Sequence, residues 1–550
     1  MAVPARAAVL PTDLEAKIGA DYQPVDADER AIWRGLERIE AGIRSSPQRL
    51  IAPDLDAYTR RVVERLIGRP APDLRIYLVR DASFNASMFP TGVLIVNTGL
   101  LVRARNEAQF AAVLGHEVGH YLRRHSLDRY RDLRQKGAMA ELTSAIAHGS
   151  FGMESWNLVS QAIVKSFFKF SRDQESEADG FGIMLMTRAG YSPRAASAMC
   201  KQLIDERRAS AAVRDKHYFD DANSTLSTHP STERRIADLA DTADFLAGRG
   251  ELPGGDHLDE WVAVMRPYQA MLLREQIYLN DPGASLYLLE NLARDGWTGL
   301  LRFDEGEVYR LRNANGDDLK AAAAYAAATG LADAPPEAWR AHGYALLKAG
   351  SQAEAHDALN RYLAMKPDAA DAGMIRFMLS SEHATHAASG RLVVIPGASW
   401  KRLPASVRQS RWEEVWTWSG AQVDRATVVD GLPDGKAIVF QEKSADQQVP
   451  AFHAGMTAQD LASMLEVSYR INGVTTFDFE SVEPVDFAGG PGLRLRYNYA
   501  SGIGFRKKGN CVLLVADKKL YAMKLEGLAN RFDSVAPEFD RLVAGAQLRR

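Results

Sequence analysis

Cysteine is nearly absent: Cys200 and Cys511 are the only two in 550 residues. No disulfide framework can be built from that pair, so stability must come from packed cores. No charge of one sign predominates either. Lys and Arg total 67 against 70 Asp and Glu, a formal net charge of −3, which argues against broad binding to nucleic acid or anionic membrane. Long apolar runs are missing as well, since no stretch reaches the roughly 18 uninterrupted apolar residues of a membrane span. The nearest, Trp156 to Phe170, is interrupted by Asn157, Gln161, Lys165 and Lys169 and reads as an amphipathic helix of a soluble domain. The opening segment MAVPARAAVLPTDLEAKIG lacks the apolar core of about 7–15 residues that a secretory signal carries, and no signal peptide is read in it.

What is present is a long chain of ordinary globular composition. Single cores stop growing at roughly 250–300 residues, so 550 residues imply two to four domains. Residues 28–45 and 54–68 have helical apolar spacing, as in Ile32, Leu36, Ile39 and Ile43. RIYLVR (75–80) and GVLIVN (92–97) then read as strands with FNASMFP between them. Asn106 caps the next helix, with Gln109 as its capping-box partner, and that helix is expected to run to about His125. A second strong helix covers roughly 173–189, and GRGELPGGD after position 246 reads as a linker. From 258 to 385 the chain is Ala- and Leu-rich and helical. Trp339, Gly343, Ala355, Leu359 and Pro367 fit a tetratricopeptide spacing of about 34 residues, with Ala321 and Tyr325 as a partial second copy. Residues 391–550 carry the strand candidates AIVF, GLRLRYNY, CVLLVA and LYAMKL and a helix capped by Thr457 and Asp460. The fold class is therefore α+β and multidomain: a mainly helical domain with a small sheet at 24–246, a helical repeat region at 258–385, and a C-terminal α+β domain at 391–550.

Chemistry concentrates in H-E-V-G-H, residues 116–120. On a helix, positions i and i+4 share one face, so His116 and His120 can aim ring nitrogens at one point. That arrangement suits zinc at about 2.0–2.1 Å from each nitrogen, with Glu117 beside the open position to take a proton from water. With 12 histidines in the chain, chance yields this motif about 0.02 times per chain.

Two imidazoles leave a catalytic zinc site one protein ligand short. The segment SRDQESEADGFG (171–182) holds Glu175 and Asp179, again i and i+4. One carboxylate can bind the metal while the other orients a ligating imidazole through its second nitrogen. Glu177 lies about 200° round the helix from Glu175 and reads as solvated, so Glu175→Ala is expected to lose zinc and Glu177→Ala to keep it. His125, at the helix end, reads as a dipole-stabilising cation. His383 and His386 read as solvated linker residues, and His229, before Pro230, as a helix-capping or surface residue.

H-E-x-x-H followed by S-R-x-x-E-x-x-A-D resembles the gluzincin metallopeptidases that include HtpX and the CAAX prenyl proteases. F-N-A-S-M (84–88), T-G-L-L (98–101) and T-H-P (228–230) with Arg235-Ile236 are similar to further elements of that family. The resemblance spans roughly residues 55–246 and is strongest to the soluble bacterial branch with tetratricopeptide-like repeats. It implies that His116, His120 and Glu175 bind one zinc ion and that Asp179 supports His116. It also implies that Asn85 and Ala86 belong to an edge strand pairing with extended substrate, that His229 stabilises the oxyanion, and that Arg235 holds the local fold. A resting site in which His229 instead occupies the metal remains open. The implied activity is zinc-dependent endoproteolysis of unfolded or misassembled proteins in the bacterial envelope, in the periplasm or another extracytoplasmic compartment. Polypeptide substrates and a protein partner on the helical repeats are the expected partners, with no nucleic acid and no transmembrane segment. The alternative is an assembly chaperone or scaffold with latent peptidase activity.

Overall fold

The computed structural model describes residues 24–71, 74–135, 170–214, 233–248, 254–380, 390–404, 412–418, 424–438, 449–501 and 506–549. The chain divides into two compact units, Met1–Leu273 and Arg274–Arg550. Helices and strands are both present, helix predominating.

In the first unit, α1 (Ala27–Ser45) and α2 (Pro53–Ile67) precede a small sheet of β1 (Arg75–Val79), β2 (Ala86–Met88) and β3 (Val93–Asn97). Its strand order is β1-β3-β2, with β1 parallel and β2 antiparallel to β3, so β2 lies at an edge. The chain leaves β3 directly into α3 (Thr98–Arg103) and then α4 (Glu107–Leu122). The Asn106 side chain caps α4 by accepting from Gln109 N at 2.8 Å. Gln109 does not close a capping box, because its side-chain oxygen accepts from Arg105 N at 2.9 Å instead. Nor does the helix continue to His125. It stops at Leu122, Arg124 takes a left-handed φ of 61°, and α5 (His125–Gln135) starts afresh. The unit continues with α6 (Arg172–Arg188), α7 (Arg194–Val213), α8 (Glu233–Gly248) and α9 (Leu258–Met265). The last returns past the linker to α4: Trp261 Nε1 donates to Ala104 O at 2.9 Å and its ring meets Phe110 at 5.1 Å.

What positions the site is the closeness of α4 and α6. Glycine and alanine face each other where the helices cross. A Cβ at Gly182 would lie 3.0 Å from His116 N, and one at Gly119 would lie 3.0 Å from Ala178 O. Backbone therefore meets backbone, as the absence of side chains allows.

The second unit opens on helices paired in hairpins: α11 (Pro282–Leu292), α12 (Gly299–Arg312), α13 (Asp317–Thr329), α14 (Pro336–Lys348), α15 (Gln352–Met365) and α16 (Ala372–Leu379); α10 (Gln269–Ile277) contains the division between units. Gly343 and Leu359 interlock α14 with α15, since a Cβ at Gly343 would fall 2.7 Å from Leu359 Cγ. A seven-stranded sheet follows, ordered β5-β6-β7-β11-β10-β9-β8. Its ranges are β5 (Lys401–Arg402), β6 (Glu413–Thr417), β7 (Arg425–Pro433), β8 (Val474–Phe487), β9 (Gly490–Ser501), β10 (Lys507–Ala516) and β11 (Lys519–Leu528). Two cores flank it. One, around Phe477, Tyr497 and Leu495, is covered by α17 (Ala458–Arg470), whose Thr457–Asp460 capping box is formed. The other, around Tyr521 and Phe539, is covered by α18 (Ala529–Gly545). β4 (Arg391–Val393) and β12 (Gln547–Arg549) pair separately. Of AIVF, only Ala437 and Ile438 are described, Ala437 forming a single bridge to Ala451. Both cysteines are buried, and neither forms a disulfide.

Among the described residues no helix is long and apolar enough to cross a membrane. Residues 156–169, His229, His383 and His386 lie outside the described residues.

Candidate metal centre and active site

His116 and His120 leave the same face of α4, both buried, and their Nε2 atoms stand 3.1 Å apart. The close approach of α6 brings Glu175 opposite them. Its carboxylate oxygens lie 3.5 Å from His116 Nε2 and 3.6 Å from His120 Nε2. These three residues form a group able to hold a metal ion. Asp179, one helical turn on, takes the other side of His116. His116 Nδ1–H donates to Asp179 Oδ1 at 2.8 Å. A carboxylate only accepts, so Nδ1 carries a proton, and Nε2 is the ring atom turned to the cluster and left to bind a metal. Arg235 on α8 grips Asp179 with both prongs, Nε to Oδ2 at 2.8 Å and NH2 to Oδ1 at 2.7 Å.

The electrostatics follow from these contacts. Burial penalises the Asp179 charge, but Arg235 and His116 outweigh it and hold its pKa below the usual carboxylate value. Burial and the Arg235 charge press the His116 pKa down. Its bonds to Asp179 and Glu175 prevail and lift it to about 9. The cleft thus favours positive charge on or between its donors.

A zinc ion fits this donor set. Tetrahedral ligands at about 2.0–2.1 Å from a centre stand about 3.3–3.4 Å from one another. Here the two nitrogens stand 3.1 Å apart, and each has a different Glu175 oxygen near that spacing, Oε2 at 3.5 Å from His116 and Oε1 at 3.6 Å from His120. Two imidazoles and one carboxylate are also the ligand types of hydrolytic zinc sites. A second cluster, Glu107, His257 and Glu260, also brings metal-binding residue types together. It fits a cation poorly, because a guanidinium already occupies it. Arg65 lies 3.4 Å from Glu107 Oε1 and 3.2 Å from His257 Nε2, while Tyr58 and Tyr191 donate to the same carboxylate.

Glu117 lines a cleft of about 640 Å³, open solvent included, together with His116, Asp179, Asn85 and Ala86. Val113, Ile183, Met199, Leu203 and Leu239 give the same cleft an apolar wall. Asn85 and Ala86 arrive there because the chain entering β2 crosses directly over α3: a Cβ at Gly99 would lie 2.2 Å from Ser83 O. That contact gives the T-G-L-L segment its physical reason.

Two sequence readings are corrected here. Glu177 is not a solvated carboxylate, since it pairs with Arg123 and takes His125 Nε2 at 3.0 Å. Burial raises its pKa, but those two partners prevail and hold it below the ordinary value. His125 is not a helix-end cation either. The break at Arg124 makes it the first residue of α5 and turns its ring back onto His120, Nδ1 to Nδ1 at 2.8 Å. Burial holds its pKa below the usual imidazole value, with Glu177 opposing in part.

Residues 50–243 match the description Peptidase family M48. They form an M48 peptidase domain. Relatives of this M48 domain include the beta-barrel assembly-enhancing protease of Escherichia coli (strain K12), 25% identical over 251 residues, covering 40% of this chain and 50% of the relative. The mitochondrial metalloendopeptidase OMA1 of Schizosaccharomyces pombe is 34% identical over 182 residues, covering 32% of this chain and 50% of the relative. The chain spans half the length of each of these two relatives. M48 peptidases are metal-dependent, and the His116–His120–Glu175 cluster lies inside the matched segment.

Proposed function

We propose that this chain is a zinc metalloendopeptidase that cleaves unfolded or misassembled proteins in the bacterial envelope. The observation that carries the reading is the cluster of His116, His120 and Glu175 donor atoms, joined through His116 to the cleft that Glu117 also lines. His116, His120 and Glu175 hold one zinc per chain, and zinc bound there supplies Lewis acidity toward a scissile carbonyl and toward water. Glu117 accepts the proton of the attacking water and passes it to the leaving amine. Asp179, held by Arg235, keeps His116 in its ligating tautomer. The edge strand containing Ala86, with Asn85 before it, pairs with an extended substrate backbone. His229 donates to the developing oxyanion; a rise in self-cleavage on His229→Ala would instead mark it as a resting ligand.

The substrate class is supported by the cleft wall. Val113, Ile183, Met199, Leu203 and Leu239 suit apolar side chains, which folded proteins bury and unfolded ones expose. The helical hairpins of 282–365, read as tetratricopeptide-like repeats, offer a partner surface. The name of the Escherichia coli relative points the same way, toward β-barrel proteins of the envelope and an extracytoplasmic site of action.

A second reading, an assembly scaffold with latent peptidase activity, is favoured by the large share of the chain outside residues 50–243. Glu117→Gln separates the two. With a permanently unfolded polypeptide as substrate, the variant should lose about 10²–10⁴ in cleavage rate while still binding zinc. Undiminished complementation of cellular function by the same variant would favour the scaffold.

A further inference from the structure

We propose that His125 and Glu177 are positioning residues that lock His120 in its metal-binding tautomer. The inference rests on the reading of His120 as a ligand and extends the support of the site to its second imidazole. Asp179 settles the tautomer of His116, and His120 is held by a different kind of neighbour. Its Nδ1 faces another imidazole, His125 Nδ1, at 2.8 Å. Two neutral rings joined this way need one proton between them, and either could carry it. A proton left on His120 Nε2 would remove the lone pair that a metal requires.

Glu177 removes the ambiguity. Its carboxylate lies 3.0 Å from His125 Nε2 and can only accept, so His125 carries its proton on Nε2. A neutral His125 then presents a lone pair at Nδ1. His120 must donate its Nδ1–H to that lone pair, and His120 Nε2 is left bare toward His116 Nε2 and Glu175. The order of donation is His120 to His125 to Glu177. Arg123 pairs with the same carboxylate and holds it in place. Phe170 stacks on the His120 ring, centroids 4.0 Å apart and planes 18° from parallel, so the ring cannot swing out of line.

The backbone supplies an independent observation. On an unbroken helix, residues five apart point about 140° away from each other and cannot meet. The left-handed Arg124, φ 61°, folds the chain back and makes the contact possible. Arginine is disfavoured in that region, and such strain persists where surrounding structure over-determines it. Here Arg124 pairs with Glu29 of α1, whose carboxylate also accepts from Val25 N at 2.9 Å.

The test is zinc affinity of the full chain, measured by chelator competition, alongside the thermal midpoint of the metal-free protein. His125→Phe keeps the ring volume without the bonds, and Glu177→Ala removes a half-buried carboxylate. Each should weaken zinc binding about 10–100-fold. Because Glu177 acts through His125, the double variant should bind no more weakly than His125→Phe alone. His125→Gln, which can accept from His120 and donate to Glu177, should recover most of the loss. Affinities within about twofold of wild type for both single variants would overturn the proposal, as would additive losses in the double variant or a lowered metal-free midpoint with unchanged affinity. A His120→Ala control in the same titration separates the two levels: if it binds zinc as wild type does, the metal-site reading fails rather than the relay.

Discussion

The crossing of α4 and α6 gives the sharpest stability prediction. Replacing Gly182 with alanine adds one methyl group. That group would sit 3.0 Å from His116 N and 3.2 Å from both Gly115 C and His116 Cα. Comfortable carbon contacts lie at about 3.5–4.0 Å, so the helices must part by several tenths of an ångström. The obstructing atoms are backbone and cannot rotate away. Two opposed effects then act on stability. Alanine in a helix interior gains about 1 kcal/mol over glycine, and overpacking costs about 1–3 kcal/mol. The net should be a loss of up to about 2 kcal/mol. The effect on the metal should be larger. Glu175 and Asp179 ride on α6 and the histidines on α4, so separation of the helices stretches the 3.5 and 3.6 Å donor distances directly. Metal sites tolerate only about 0.2 Å in each ligand bond. Zinc affinity should fall at least about tenfold. Thermal unfolding of the metal-free chain and chelator competition measure the two effects. A Gly182→Ala protein that is more stable by the full propensity gain and binds zinc as wild type does would refute the argument that helix contact sets the site.

Arg235→Ala should destabilise the first unit by about 3–5 kcal/mol by leaving the largely buried Asp179 carboxylate without its cation, and should weaken zinc binding; Arg235→Lys should restore less than half of either, because an ammonium cannot grip both oxygens. Chemical denaturation and zinc titration of the two variants check this. In the second unit, Glu526 accepts from Tyr469 and from Tyr499 at 2.9 Å and pairs with Lys524 at 2.9 Å. Burial opposes its ionisation, but these partners prevail and hold its pKa below the ordinary 4.5. Its contribution is therefore present above that ordinary value and lost as pH falls through the lower folded value. Unfolding midpoints followed from neutral pH into acid should drop less steeply for Glu526→Gln than for wild type, and parallel curves would contradict the assignment.

Much of the site was legible because helical geometry is strict. The i, i+4 spacing of His116 and His120, and of Glu175 and Asp179, needs only a helix to become a constellation. Which carboxylate does which job was not legible from spacing and entered through family resemblance. The structure sets Asp179 on His116 Nδ1 and Glu175 toward both Nε2 atoms. His125 and Glu177 were misread for one reason. The apolar pattern continues past Leu122, and nothing in an arginine announces a left-handed turn. The small residues that let α4 and α6 touch were equally silent, since glycine and alanine carry no periodic signal of their own. In the second unit, β9, β10 and β11 contain the expected apolar runs, whereas β8 was missed. Its Val474–Phe487 segment alternates with acidic residues and contains Pro484, and its pairing with β9 shifts register twice. The adjacency of β7 and β11 joins segments far apart in the chain, and no local pattern encodes it.

Metal content tests the central claim most directly. The full chain, loaded with zinc, freed of excess by dialysis and analysed for metal, should retain about one zinc per chain. His120→Ala and Glu175→Ala, treated identically and folded by their spectra, should retain almost none. Wild-type protein that keeps no zinc, or variants that keep as much as wild type, would contradict the assignment of His116, His120 and Glu175 as the metal-binding residues.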